Sequence, residues 1–267
     1  MKATFNSRYR YDAKSKFAGA IFIFAAGIIL ADNAQDKIFA GRAETEFHRA
    51  QIQFESNTNN SDAVWQFARA CYDFADFATN KTGRADIANQ GIAACRQLIA
   101  RGTNSVAAHY YLGMNLGQLA RTRGLSALKI IREMESQFKT AAKMDKQFDY
   151  AGPERNLGLL YRDAPGWPLS DGSRRKAHDF LESAVQLAPD YPENHLNLVE
   201  SFLKWHESDN AKNELKIIDA LWPVAQKKFT GEKWEQSWDD WSVRRDAARK
   251  TVDEFSAPAQ PSKDGRN

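Results

Sequence analysis

From about residue 61 onward, apolar residues recur at three- and four-residue spacing, and no run of alternating β-branched residues is long enough to build a sheet. The pattern predicts an all-α chain. Its interruptions fall at NKTG (80–83), RGTN (101–104), TRG (122–124), DYAGP (149–153), YRDAPGWPLSDGS (161–173) and APDYP (188–192), which divide the helices into hairpins. Residues 32–60 are weaker: AETEFHRAQIQFES predicts one short helix before the polar linker NTNNSD, with no role assigned. Residues 231–255 predict a last helix in which Trp234, Trp238 and Trp241 share one face. That face reads as a cap over the end of an array, with an aromatic partner-binding face as the alternative. Residues 256–267 read as a disordered tail.

Within this pattern lies an internal repeat. Ala177, Leu181, Ala184 and Pro189 recur at an offset of 34 residues as Ala211, Leu215, Ile218 and Pro223. Small residues let two helices approach, larger ones fill the space between them, and proline is expected to end the helix because it lacks an N–H and crowds the preceding turn. The first helix of each hairpin carries matching positions: Trp65 with Tyr72, Leu112-Gly113 with Leu116, Leu157-Gly158 with Tyr161, and Leu198-Val199 with Phe202. These residues and their period resemble the tetratricopeptide repeat over residues 61–223. The resemblance implies a right-handed solenoid of about four helical hairpins with a C-terminal capping helix. In that frame the 161–173 stretch is an insertion between the two helices of the third hairpin.

The N-terminus alters the charge reading. Lys2, Arg8, Arg10, Lys14 and Lys16 precede the uncharged apolar run Phe17–Ala31, a basic region and a hydrophobic region of the kind that directs export. The run is shorter than the roughly 20 residues of a membrane span. Residues 1–31 are therefore expected to act as a cleaved signal peptide, with an uncleaved inner-membrane anchor as the alternative. This segment holds five of the 37 Lys and Arg and one of the 34 acids, so the remainder has a net charge of −1. No basic block remains of the sort that nucleic acids attract. Cys71 and Cys95 lie equally far from the break near Gly83, so antiparallel helices would bring them face to face. In an oxidising compartment they are a candidate disulfide, and otherwise two small core residues.

Motifs for catalysis are missing: the chain has no G-x-x-x-x-G-K-[ST], G-x-S-x-G, H-E-x-x-H or C-x-x-C. His48, His109, His178, His195 and His206 are scattered without ligand spacing, and Asp239-Asp240 and Glu232 with Glu235 read as solvated helix charges. No cofactor, metal or enzymatic activity is expected. Binding is the remaining chemistry, and solenoids bind on the face lined by the first helix of each hairpin. A stripe two residues before the packing leucine gives Tyr110, Met114 and Gln118, then Arg155, Leu159 and Asp163, then Leu196, Glu200 and Lys204. Arg155 suits a carboxylate through its forked donors, or else it pairs internally with an acid such as Glu200. In the insertion, Asp163, Trp167 and Ser170 offer contacts, with Pro165 and Pro168 stiffening the backbone; the segment serves either as an elbow or as a recognition loop.

A layout of export signal, HYYLGMNLGQLA (109–120), a long second helix to Met144, then FDYAGPERNLGLLYRDAPGWPLS (148–170) and a regular repeat helix resembles the periplasmic T component associated with tripartite ATP-independent periplasmic (TRAP) transporters. The resemblance implies a non-enzymatic periplasmic scaffold that forms homo-oligomers and docks an extracytoplasmic solute-binding protein. The sequence departs from that family in having no lipobox cysteine. The alternative is a periplasmic carrier of a small organic acid or lipid, centred on Arg155.

Overall fold

A computed structural model of the chain describes residues 32–123, 127–164 and 173–256. Residues 1–31, Trp167 and Ser170 of the insertion, and the tail 257–267 lie outside the described residues. Among the described residues the structure is helical throughout, and no helix is long and apolar enough to cross a membrane. The chain divides into two units, Met1–Leu187 and Ala188–Asn267.

The first unit contains α1 (Asp32–Ser56), α2 (Ser61–Asp76), α3 (Lys81–Ala100), α4 (Val106–Ala120), α5 (Leu128–Met144), α6 (Phe148–Asp163) and α7 (Arg174–Leu187). The predicted breaks supply its caps. Asn60 Oδ1 accepts from the backbone N–H groups of Asp62 and Ala63 at 2.9 and 3.2 Å, Asn80 Oδ1 from Gly83 at 2.8 Å, and Ser105 Oγ from Ala108 at 3.2 Å. Each satisfies donors that the first turn of a helix leaves open. Gly102, at φ +73°, follows α3 in the left-handed conformation that glycine adopts without penalty.

Packing then joins the helices in the order of a hairpin array: α2 with α3, α4 with α5, α6 with α7, and each hairpin with the next through α3·α4 and α5·α6. The Leu-Gly pairs are explained by close approach. A Cβ on Gly113 would stand 2.6 Å from the Phe138 ring on α5, and one on Gly158 would stand 2.6 Å from Leu181 Cγ on α7. Tyr161 locks three helices, stacking on Phe180 of α7 at 5.6 Å while its hydroxyl donates to Glu135 Oε1 of α5 at 2.5 Å. The short helix predicted before the repeats is longer than its sequence pattern implies. α1 starts at Asp32 and buries Phe39, Phe47 and Ala50, with Phe47 and Phe54 packed on Phe67 of α2. Cys71 and Cys95 are buried free thiols on the packed helices α2 and α3, with no bond between them. Burial pushes both thiols up, which favours the protonated, unreactive form.

The second unit contains α8 (Pro192–Lys204), α9 (Ser208–Lys228) and α10 (Glu232–Ser256). Pro223 does not end its helix as its repeat position predicts; α9 continues through it to Lys228. Trp222 and Ala225 on either side are buried, so packing holds both flanks of the interrupted ladder. All three tryptophans of α10 turn inward. Trp234 and Trp241 are buried against Tyr191 and Phe229, and Trp238 donates Nε1–H to the Phe229 carbonyl at 2.6 Å while meeting Trp222 edge-on at 5.2 Å.

One cation organises the interface of α8 and α10. Arg244 reaches Glu193 at 2.8 Å, Glu200 at 2.6 Å, Asp240 at 3.1 Å and Asn197 Oδ1 at 2.7 Å, and Trp241 Nε1–H donates to Glu193 at 2.7 Å. Replacing Arg244 with Met leaves the buried Glu193 carboxylate without its counter-ion, a change that costs about 3–5 kcal/mol. Denaturant unfolding of the full chain is expected to show that loss. An unchanged midpoint would contradict the assigned role.

Candidate functional site

The first helices of the three hairpins in the first unit meet at a cluster of aromatic and charged side chains. Its floor is built by an unusual backbone. Asp149, Tyr150 and Ala151 all take left-handed values, with φ of 53°, 54° and 62°, at the start of α6. None is glycine, so the turn costs roughly 1–2 kcal/mol per residue. Pro153 follows in the first right-handed turn, where its missing N–H is tolerated.

Arg155 offsets that cost by satisfying the carbonyls that the turn exposes. Its guanidinium donates to the Tyr150 carbonyl at 3.1 Å, to the Asp149 carbonyl at 3.4 Å and to Asp149 Oδ2 at 3.2 Å. Both side chains of this ion pair are 0% exposed. From α4, the Tyr110 hydroxyl donates to Asp149 Oδ2 at 2.8 Å and accepts from Asn156 Nδ2 at 3.1 Å. The second and third hairpins are therefore tied by a buried polar junction. Asp149 Oδ1 and Asn156 Oδ1 are buried there without a hydrogen-bond donor. Burial pushes the Asp149 carboxyl up to about 7, against the pull of Arg155, Tyr110 and Arg69.

Above this floor the cluster opens outward. Trp65 of α2 stacks on the buried Tyr111 at 5.8 Å with planes 6° apart, and its Nε1–H donates to Asp62 at 2.9 Å. Phe148 packs edge-on against both Tyr110 and Tyr111. One turn along α2, Arg69 and Asp73 pair at 3.5 Å with their side chains 25% and 28% exposed. Burial pushes the Asp73 carboxyl up to about 7; Arg69 pulls it down, while Asp76 and Glu46 push in the same direction as burial. Burial works against the Arg69 cation, but Tyr111, Asp73 and Asp149 together hold its pKa above the ordinary value. A partly exposed indole and an adjacent ion pair thus stand over a rigid, water-excluding base. Such a surface can stack on an apolar or aromatic group and hydrogen-bond a polar backbone beside it.

The sequence-derived stripe does not line this surface. Tyr110, Met114, Gln118 and Arg155 are all buried. In the first unit α4 packs on two flanks, against its partner α5 and against the first helices α2 and α6, so Tyr110, two residues before the packing Leu112, falls inside. Arg155 pairs with Asp149 at 3.2 Å. Glu200 and Lys204 belong to the second unit, where Glu200 binds Arg244, and Lys204 is exposed at the end of α8. Asp163, exposed at the end of α6, pairs with Arg162 at 2.8 Å. Sequence reasoning missed Trp65, Arg69 and Asp73, although their i, i+4, i+8 spacing on α2 marks one stripe. The repeat position of Trp65 points to interior packing and hides its surface role. Asp149 escaped notice because DYAGP reads as a break.

Among the described residues no group of three His, Cys, Asp or Glu side chains is placed to hold a metal ion. Because the Asp149 carboxyl lies near 7 when folded and near 3.8 ordinarily, the folded chain retains a proton between those values that the unfolded chain has released. Stability is therefore greatest on the acid side of that window and declines as pH rises through about 7. Thermal unfolding at pH 5.5 is expected at a higher midpoint than at pH 8, with the difference reduced in Asp149→Asn. A difference unaffected by that substitution would contradict the assignment.

Residues 32–150 match the family model described as regulator of microtubule dynamics protein 1-3 (RMD1-3), a span that runs from α1 to Tyr150 in the left-handed turn. No curated protein matches the chain. The solved structure of TTC0263, a thermophilic TPR protein in Thermus thermophilus, is similar with a TM-score of 0.58 and 19% identity, covering 80% of this chain and 94% of that one. At that identity the likeness is one of fold, and it agrees with the helical-repeat architecture read from the 34-residue period: the chain has a tetratricopeptide-like fold.

Proposed function

We propose that the chain is a non-enzymatic helical-repeat scaffold that binds a protein partner on the Trp65–Arg69–Asp73 face. The observation that carries this reading is the partly exposed Trp65, stacked on Tyr111 and held over the buried Tyr110–Asp149–Arg155 junction. A fixed aromatic anchor beside a partly desolvated ion pair loses little conformational freedom when a partner docks. The tetratricopeptide-like fold supports the same role, since hairpin arrays commonly mediate protein–protein contact.

The exported form of the proposal rests on the N-terminal segment. The basic residues and the apolar run Phe17–Ala31 would deliver the repeats to the periplasm or tether them at the inner membrane, where the docked partner is an extracytoplasmic solute-binding protein and the scaffold acts as a homo-oligomer. The family match over residues 32–150 favours a second reading, in which the partner is a microtubule component. The small-molecule carrier loses its central donor, because Arg155 is fully buried and its guanidinium is engaged by Asp149 and the left-handed turn.

Capture experiments with the full chain separate these readings. The chain and its Trp65→Ala/Arg69→Ala variant are used as bait in an extract of the source cell, and the variant's fold is checked by circular dichroism. The account expects the variant to recover at least tenfold less of the bound protein, which mass spectrometry then identifies. A solute-binding protein favours the exported form, and co-sedimentation with polymerised tubulin favours the second reading. Equal recovery by both baits would sink the proposed face.

A further inference from the structure

The indole at the centre of the proposed face has a carboxylate at its edge that the fold leaves without a counter-ion. Asp62 stands exposed in the first turn of α2, and its Oδ1 accepts from Trp65 Nε1–H at 2.9 Å. Arg69, one turn beyond Trp65, is turned to Asp73 at 3.5 Å. Among the described residues, no Lys, Arg or His forms an ion pair with Asp62. The start of a helix carries a partial positive charge of roughly half a unit. Its first N–H groups are already taken up, since Asn60 Oδ1 accepts from those of Asp62 and Ala63. The full charge of the Asp62 carboxylate outweighs that dipole, and negative charge remains in excess beside the indole.

Trp65 is partly exposed, and one of its faces lies on Tyr111 with planes 6° apart. Among the described residues Tyr111 is its one ring contact, and no cation lies over it. The hydrogen bond from Nε1 to a carboxylate pushes electron density into the ring, which deepens the negative potential over its face. A cation above the Nε1 edge is therefore attracted twice, by the ring beneath it and by Asp62 beside it. A guanidinium suits both attractions, because it is planar, stacks on aromatic faces and presents a fork of donors to a carboxylate. The second unit contains the same pairing within itself: Arg245 lies over the Trp222 ring at 4.0 Å.

We propose that Trp65 and Asp62 form a receptor for an arginine side chain of the docked protein partner, an inference that rests on the Trp65 face being the binding surface. The partner's guanidinium stacks on the indole face turned away from Tyr111 and donates to the Asp62 carboxylate. An acidic segment is disfavoured at this point, because it brings a second carboxylate against Asp62. Arg69 does not repel the incoming cation while its own charge is offset by ionised Asp73.

The test uses the full chain, labelled with 15N at the indoles and kept in nonionic detergent on account of its apolar N-terminal run. Titrations at pH 8 keep Asp73 ionised, since burial pushes its carboxyl up to about 7. The signal lost in Trp65→Phe assigns Trp65 Nε1–H. The probes are acetyl-Gly-Arg-Gly-amide, its lysine counterpart, its citrulline counterpart, which keeps the planar group without the charge, and acetyl-Gly-Glu-Gly-amide. The expected result is a saturating shift of Trp65 Nε1–H with the arginine peptide, severalfold weaker binding of the lysine peptide, and no saturation with the other two. Asp62→Asn keeps an acceptor for the indole and removes the charge; it is expected to weaken arginine binding about tenfold with its melting curve preserved. Equal binding of the lysine or citrulline peptide, or undiminished binding by Asp62→Asn, would overturn the assignment. Capture distinguishes this failure from failure of the face. An Asp62→Asn bait that recovers as much partner as the native chain, while the Trp65→Ala/Arg69→Ala bait loses it, leaves the face standing and removes the arginine. Equal recovery by all three baits removes the face and the inference with it.

Discussion

The Tyr110–Asp149–Arg155 junction is the constraint on which the first unit depends. A left-handed turn of three non-glycine residues is costly, and it persists because a buried guanidinium takes up the carbonyls it frees and a hydroxyl from α4 takes the carboxylate beside them. A buried ion pair of this kind is weak evidence for net stability. Its effect here is geometric. It sets the angle at which α6 leaves the second hairpin, which brings Phe148 against Tyr110 and Tyr111 and gives Trp65 its stacking surface. The exposed face and the hidden network are therefore parts of one arrangement, in which the interior fixes what the surface presents.

A related logic governs the contacts between α2 and α4. Asn115 and Gln118, one turn apart on α4, reach across to the Ala68 and Tyr72 carbonyls of α2 at 2.8 and 3.3 Å. Amides buried at a helix interface are tolerated when they find such partners, and they specify register more sharply than apolar contacts do. Asn115 satisfies its donor end but leaves Oδ1 without a partner, so the latch is incomplete at that point. In the second unit the same task falls to Arg244 and the indoles of α10, which join α8 and α10 through charge and aromatic packing.

Much of the fold was legible in the sequence because it rests on local signals. Asn60, Asn80 and Ser105 cap helices at predicted breaks, the small residues Gly113 and Gly158 sit where helices approach closely, and the apolar period gives the hairpins. What failed depends on tertiary context. Pro223 is carried inside α9 by packing on both sides. DYAGP opens with three left-handed residues, Asp149 to Ala151, stabilised by Arg155, six residues from Asp149, and by Tyr110 of another hairpin. The site was less legible. The choice of stripe required the rotation of each helix about its axis, and an error of one or two residues exchanges a surface position for a buried one. Arg155 illustrates the point: its type suits a ligand carboxylate, and only the fold shows that its carboxylate is internal.

The central claim is that the second and third hairpins behave as one cooperative body through the polar junction. Hydrogen–deuterium exchange of the full chain, read at peptides covering residues 106–120 and 148–160, tests it most directly. The account predicts strong protection in both peptides of the native chain and a joint loss of protection in Tyr110→Phe, which removes the hydroxyl alone. Rapid exchange of 148–160 beside a protected 106–120 in the native chain, or loss confined to one peptide in the variant, would contradict it.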